Sequence, residues 1–177
     1  MEMGVDGIVF PMIRSAEQAN EAISNTLYPP YGTRGCGPIN AIDYGASDIM
    51  EYIATDHEKT CRFIQIEHID AVKDLEEIMK NDFIDGYIIG ANDLSGSINE
   101  LGNIYGENNL KLIKETISKL KAHGKYVGFA TGETSEKIIK FWKDLGVDMI
   151  TAGNDFILLT ETMKKNKENL SKIFKDA

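Results

Sequence analysis

Cysteine is scarce. Cys36 and Cys61 are the two in 177 residues, too few and too unpatterned for a disulfide framework or a zinc site, so reduced thiols and a cytoplasmic location are expected. Histidine is scarce as well, and His57, His68 and His123 are scattered rather than grouped. Positive charge is in the minority: 19 Lys and Arg face 28 Asp and Glu, for a formal charge of −9. No basic stripe is present to neutralise phosphates, which argues against nucleic acid and anionic membrane as partners. Apolar runs stop short of the roughly 18 residues of a membrane span, and no signal-peptide core opens the sequence. What is present in ordinary amount is hydrophobic content, 42%, enough for one domain, residues 1–177, with a buried core.

That content is distributed as short runs alternating with amphipathic ones. Residues 4–12, 61–67, 86–90, 126–130 and 148–152 read as strands. Residues 15–23, 43–55, 69–79, 109–123, 135–145 and 156–174 read as helices, with Ser15 and Gln18 as a capping pair and Gly124 as a stop. Between the first helix and the second strand lies a Pro/Gly-rich loop, residues 28–38, of a length that loops reach mainly when they serve a site.

Alternating strands and helices with short connections imply right-handed βαβ units and a parallel sheet. The sequence also echoes itself. Gly4-Val-Asp-Gly, Phe83-Ile-Asp-Gly and Gly146-Val-Asp each place an Asp just ahead of a strand, and two strands run into Ala91-Asn92-Asp93 and Gly153-Asn154-Asp155. Such repetition suits an α/β fold of the (β/α)8 TIM-barrel type, in which polar loops gather at the C-terminal ends of the strands. Five units do not close an eight-stranded barrel, so an open doubly wound sheet is the alternative.

Two acids fall at the ends of consecutive strands. Alternation along residues 62–67 puts Phe63, Gln65 and Glu67 on one face and Ile64 and Ile66 on the other. The isoleucine face suits helices, which leaves Gln65 and Glu67 toward the barrel interior. Asp93 follows the next strand. Each acid has a structural explanation of its own: a hydrogen-bond partner for Glu67, a helix cap for Asp93. Jointly, they are carboxylates on neighbouring strands about 5 Å apart, and such a pair repels unless a proton or cation lies between. Two hard oxygen donors with most of an octahedral shell open suit Mg²⁺ or Mn²⁺, and no His or Cys is placed for zinc.

Gln65-Ile-Glu67 followed by Ile88-Ile-Gly-Ala-Asn92-Asp93-Leu-Ser-Gly-Ser97 resembles the HpcH/HpaI family of class II, metal-dependent 2-keto-acid aldolases. Tyr28-Pro-Pro-Tyr-Gly-Thr-Arg34-Gly-Cys-Gly37, Phe10-Pro11-Met12 and Ala152-Gly-Asn-Asp155 resemble further motifs of that family, in the same order. The resemblance implies a TIM barrel represented by the equivalents of strands 4 to 8, so that the chain is expected to be N-terminally incomplete. It implies Glu67 and Asp93 as metal ligands, with Mg²⁺, Mn²⁺ or Co²⁺ as the ion. It also implies Gln65, Arg34 and the backbone around Asn92 and Asp93 as contacts for a 2-keto acid.

The activity implied is cleavage of a 4-hydroxy-2-keto acid to pyruvate and an aldehyde through a metal-stabilised enolate. The family's catalytic His and pyruvate-binding Arg have no counterpart here, so the catalytic residues are unassigned. The resemblance also implies a homo-oligomer, with helix 156–174 packing on a neighbouring subunit. A citrate-lyase β-like CoA-thioester lyase and an inactive barrel fragment are the alternatives.

Overall fold

The computed structural model describes residues 1–133, 135–151 and 153–175, with the backbone only at Lys175. Five parallel strands form one sheet in the order of the chain: β1 (Gly7–Phe10), β2 (Cys61–Ile66), β3 (Gly86–Ile89), β4 (Tyr126–Phe129) and β5 (Met149–Ile150). Each strand pairs with the next in sequence, from Gly7 opposite Cys61 to Phe129 opposite Ile150. A doubly wound sheet reverses its strand order at a switch point and carries helices on both faces. Here the order never reverses.

The helices cover one face. Ile64, Ile66, Tyr87, Ile89, Val127 and Phe129 are buried in one cluster with Ala19 and Ile23 of α1 (Ala16–Ser24), Leu75 and Ile78, and Ile113, Ile117 and Leu120. On the other face Val9, Phe63, Ile88 and Met149 line an open apolar hollow. Glycine permits that arrangement. A Cβ on Gly86 would stand 3.1 Å from the Phe63 ring, and one on Gly128 3.0 Å from Ile88 Cγ1. The architecture is therefore five consecutive units of the barrel type, helices outside and the inner wall facing the axis.

Boundaries differ from the sequence reading where local hydrogen bonds compete. β1 is shorter than residues 4–12, because Gly4 turns at φ 71° and Met12 sits at φ 57°. The helix read over 43–55 is instead a 3₁₀ segment (Asn40–Gly45) followed by α2 (Ile49–Lys59). Asp43 and Tyr44 have positive φ, which breaks the first piece, and Asp48 caps the second by accepting from Glu51 N–H at 2.8 Å.

The helix read over 69–79 is two, α3 (Ile69–Lys73) and α4 (Leu75–Ile78), parted at Asp74, whose carboxylate takes the Ala16 N–H at 2.6 Å. A helix absent from the sequence reading, α5 (Ala91–Ser97), follows β3. Then come α6 (Glu107–Ala122), α7 (Glu136–Asp144) and α8 (Asp155–Lys175). The strand read to residue 152 ends at Ile150, and Ala152 lies outside the described residues. Among the described residues no helix is long and apolar enough to cross a membrane.

The repeated Asp ahead of the strands ties neighbours together at their N-terminal ends. Asp85 takes the Arg62 N–H on its carboxylate at 2.7 Å, and Asp148 takes that of Val127 at 2.9 Å. Burial alone would raise the Asp148 pKa, but the Lys121 ammonium at 2.6 Å and the Val127 amide outweigh it and hold it below its ordinary value. A lowered folded pKa gives stability that is complete above the ordinary carboxylate range and is lost as pH falls through the folded value. Asp148→Asn keeps an acceptor for Val127 and removes the charge. Urea unfolding should show it about 1 kcal/mol less stable at neutral pH, with the difference closing in acid. A constant difference down to pH 2 would contradict the assignment.

Candidate active site at the C-terminal ends of β2 and β3

Glu67 directly follows β2 and is buried, 3% exposed. Gln65 is half-buried on the same side of the strand, and its amide Nε2–H donates to Glu67 Oε2 at 2.5 Å. The other carboxylate oxygen, Oε1, accepts the Met12 N–H at 2.6 Å. Met12 can aim its amide at β2 because the chain leaving β1 turns there through the left-handed region, φ 57°. A non-glycine residue held so is a strained position of the kind that gathers at functional sites.

Asp93 reaches the same place from β3. Gly90 is the N-cap of α5, and Asp93 lies in its first turn. Its side chain is therefore not the cap of that helix. Burial raises the Glu67 pKa; the Met12 and Gln65 amides pull it back, while the Asp93 carboxylate pushes it up. The Glu67 side chain thus has donors on both oxygens and a second carboxylate close by, and among the described residues no cationic side chain pairs with it. Hard oxygen donors with uncompensated charge fit Mg²⁺ or Mn²⁺. Among the described residues no third His, Cys, Asp or Glu joins them, so any ion held here would take most of its shell from outside these side chains.

Asn92, exposed, occupies the same first turn. The first intrahelical bond of α5 runs from Leu94 N–H to Gly90 O, so the amides of Asn92 and Asp93 precede it and are free of the helix ladder. Gln65, Glu67, Asn92 and Asp93 are thus brought together.

Arg34 is not with them, which corrects the expectation that it meets substrate. It is 7% exposed, and its guanidinium pairs with Glu2 at 2.7 Å and Asp56 at 3.2 Å while lying 4.3 Å over the Tyr28 ring. Asp56 closes α2 just before β2 and Glu2 precedes β1, so this cluster is at the N-terminal ends of the strands, across the sheet from Glu67. The loop carrying Arg34 is packed there for structural reasons. Thr33 N–H bonds Ser24 O at 2.9 Å and Arg34 N–H bonds Leu27 O at 2.9 Å. Gly32 is required because a Cβ would fall on the Ser24 carbonyl and 2.6 Å from that of Leu27.

The histidines serve elsewhere. His68 Nδ1 accepts from Asp70 N–H at the start of α3, His57 packs at a tilt against the Tyr31 ring, and His123 bonds the Lys119 carbonyl. Two participants were not assigned roles from the sequence, Met12 and Gly90. A Pro-Met pair ending one strand and a Gly ending another, on either side of the Glu67 strand, were the available signals.

A carboxylate pair on adjacent strand ends, at the C-terminal face of a (β/α)-barrel wall, lies where proteins of the TIM-barrel class build their active sites. The chain belongs to the family described as HpcH/HpaI aldolase/citrate lyase, whose sequence profile matches residues 1–154. It is 27% identical to the hydroxypyruvate/pyruvate aldolase of Roseovarius nubinhibens, over 93% of this chain and 63% of that protein. It is 30% identical to the 2-keto-3-deoxy-L-rhamnonate aldolase of Klebsiella pneumoniae, over 93% of this chain and 61% of that one. The crystal structure of an HpcH/HpaI aldolase from Desulfitobacterium hafniense superposes with a TM-score of 0.81 at 24% identity, over 95% of this chain and 64% of that one. The chain thus spans about three-fifths of the length of these relatives.

Proposed function

We propose that this chain carries the metal-binding portion of the active site of a divalent-metal-dependent aldolase that cleaves 4-hydroxy-2-keto acids to pyruvate and an aldehyde. One observation carries the reading: Glu67 is buried beside Asp93 on neighbouring strand ends, with no cationic partner among the described residues. The names of the two curated relatives, both keto-acid aldolases, support the substrate class.

Glu67 and Asp93 would hold Mg²⁺ or Mn²⁺. When bound, the ion supplies a Lewis acid for the carbonyl of a 2-keto acid. The Met12 and Gln65 amides fix the Glu67 carboxylate, so its oxygens do not reorganise when charge arrives. The free amides of Asn92 and Asp93 would take the carboxylate of the keto acid. Phe63 and Ile88 form the apolar inner wall beneath the site.

Assembly is proposed through α8, on which Phe156, Leu159, Met163, Leu170 and Ile173 recur along the helix and are all more than half exposed. Such a stripe on a helix is stable when covered, and a second copy in a cytoplasmic homo-oligomer would cover it.

The test titrates the chain with Mn²⁺ and follows the free-ion electron paramagnetic resonance signal. Wild type should bind one ion, and Glu67→Gln and Asp93→Asn should each weaken it at least about tenfold. Equal binding by all three would sink the proposal. Pyruvate release from 4-hydroxy-2-keto acids, with and without EDTA and beside acyl-CoA thioesters, separates the aldolase from the citrate-lyase-like reading. Light scattering on the same samples gives the number of subunits.

A further inference from the structure

We infer that Gly90 is a positioning residue for the carboxylate pair: the absence of a side chain there lets Glu67 lie where it can share a ligand with Asp93. The inference rests on the metal-site reading above and names a residue that reading does not use.

Gly90 has φ −97° and ψ 82°, a region open to any L-residue, so the backbone does not demand glycine. Space does. A Cβ on Gly90 would stand 2.6 Å from Glu67 Oε2, 2.7 Å from Gln65 Nε2 and 2.8 Å from Glu67 Cβ, all closer than packed atoms approach. Gly90 N–H also bonds Ile66 O at 3.1 Å. That bond extends the β2–β3 ladder past its last pair and ties the two strand ends together.

The Glu67 Cβ is set by the β2 backbone. Relief would come from swinging the outer part of the acid away, together with the Gln65 amide that holds Oε2, and from a small parting of the strand ends at the 2.8 Å Cβ contact. The same swing strains the 2.6 Å bond from Met12 N–H to Oε1. Gly90 touches no ligand itself. It forms the floor on which the carboxylate and its amide partner rest, and the chain then turns directly into α5 and Asp93. One small residue thereby sets the separation of acids from two strands.

Gly90→Ala should stay folded and bind Mn²⁺ about 10- to 100-fold more weakly than wild type. Gly128→Ala is the control. Its Cβ meets Ile88 Cγ1 at 3.0 Å on the same wall, so it stresses the sheet without touching the carboxylates, and its Mn²⁺ affinity should match wild type. Folded Gly90→Ala with wild-type affinity overturns the inference while leaving the metal site standing. Wild type that binds no Mn²⁺ overturns both. An equal loss of affinity in Gly128→Ala also overturns it, because general damage to the sheet would then suffice. If Gly90→Ala does not fold, a crystal structure of the Mn²⁺-bound wild type decides. A Glu67 carboxylate still packed on the Gly90 Cα supports the inference, and one turned away from it overturns it.

Discussion

Replacing Asp56 by alanine is expected to remove about 3–5 kcal/mol of stability. The Asp56 and Arg62 side chains are each 1% exposed and that of Arg34 is 4%. One carboxylate oxygen of Asp56 accepts from Arg34 Nη1 at 3.2 Å and Arg62 Nη2 at 3.3 Å, and the other accepts from Thr60 Oγ1 at 3.1 Å. Burial lowers the Arg62 pKa, with Asp56 the strongest opposing influence.

Without Asp56, two guanidinium groups share a buried space with Glu2 on Arg34 and the weaker influence of Asp85 on Arg62 left to balance them. Thr26 Oγ1, at 2.8 Å from Arg62 Nε, and the Thr60 carbonyl, at 2.6 Å from Nη1, satisfy hydrogen bonds but supply no charge. Glu2→Ala is the contrasting variant. Its side chain is 49% exposed, so its loss should stay within about 1 kcal/mol. Urea unfolding of both measures the contrast, and similar losses would mean that water reaches the cluster and that burial is not what makes Asp56 matter.

Trp142→Ala should cost about 3–5 kcal/mol and lower the melting temperature by roughly 10 °C. Trp142 is fully buried and is the one buried residue of α7. Its ring stacks on Phe129 of β4 with centroids 3.5 Å apart, and Phe141 and Tyr105 flank it at 4.8 and 6.0 Å. Ile138 and Phe141 of the same helix are only partly buried against the core, so truncating the one fully buried side chain removes most of the docking of α7. Trp142→Phe, which keeps an aromatic ring against Phe129, should retain more than half of the stability lost in the alanine variant. Circular dichroism melts read both. An alanine variant melting within two or three degrees of wild type would show that α7 is held by other contacts.

The carboxylate site was legible because its signal is local. Alternation along residues 62–67 fixes which side of β2 carries Gln65 and Glu67 once Ile64 and Ile66 are assigned to the helices, and the structure has this division. Asp93, three residues beyond β3, is carried to the same end of the sheet by the parallel direction of the strands. Arg34 was misplaced for a reason equally readable. It lies after a helix and ahead of the next strand, and in a βα unit such a loop returns to the N-terminal ends, opposite the catalytic face. Motif likeness drew the reading toward the site where topology alone would have sent it away. α5 was missed because Ala91–Ser97 contains Gly96, two serines and an Asp, weak helix formers whose cost is met by packing Ala91, Leu94 and Ser95 inside.

By itself the sequence determined the alternation of strands and helices, the parallel sheet, the family and the two acids at consecutive strand ends. Each of these follows from the period of apolar residues or from motifs held within a few positions, and neither requires knowing what lies opposite. Only the tertiary structure decided that the strands keep their order with helices on one face, that Arg34 and Arg62 meet over Asp56, and that the Met12 amide and bare Gly90 fix Glu67 from the strands on either side. Apart from Arg62 on Asp56, those relations join residues 20 to 60 positions apart, where the deciding quantity is the space between packed atoms, and that space exists only after the chain has closed on itself.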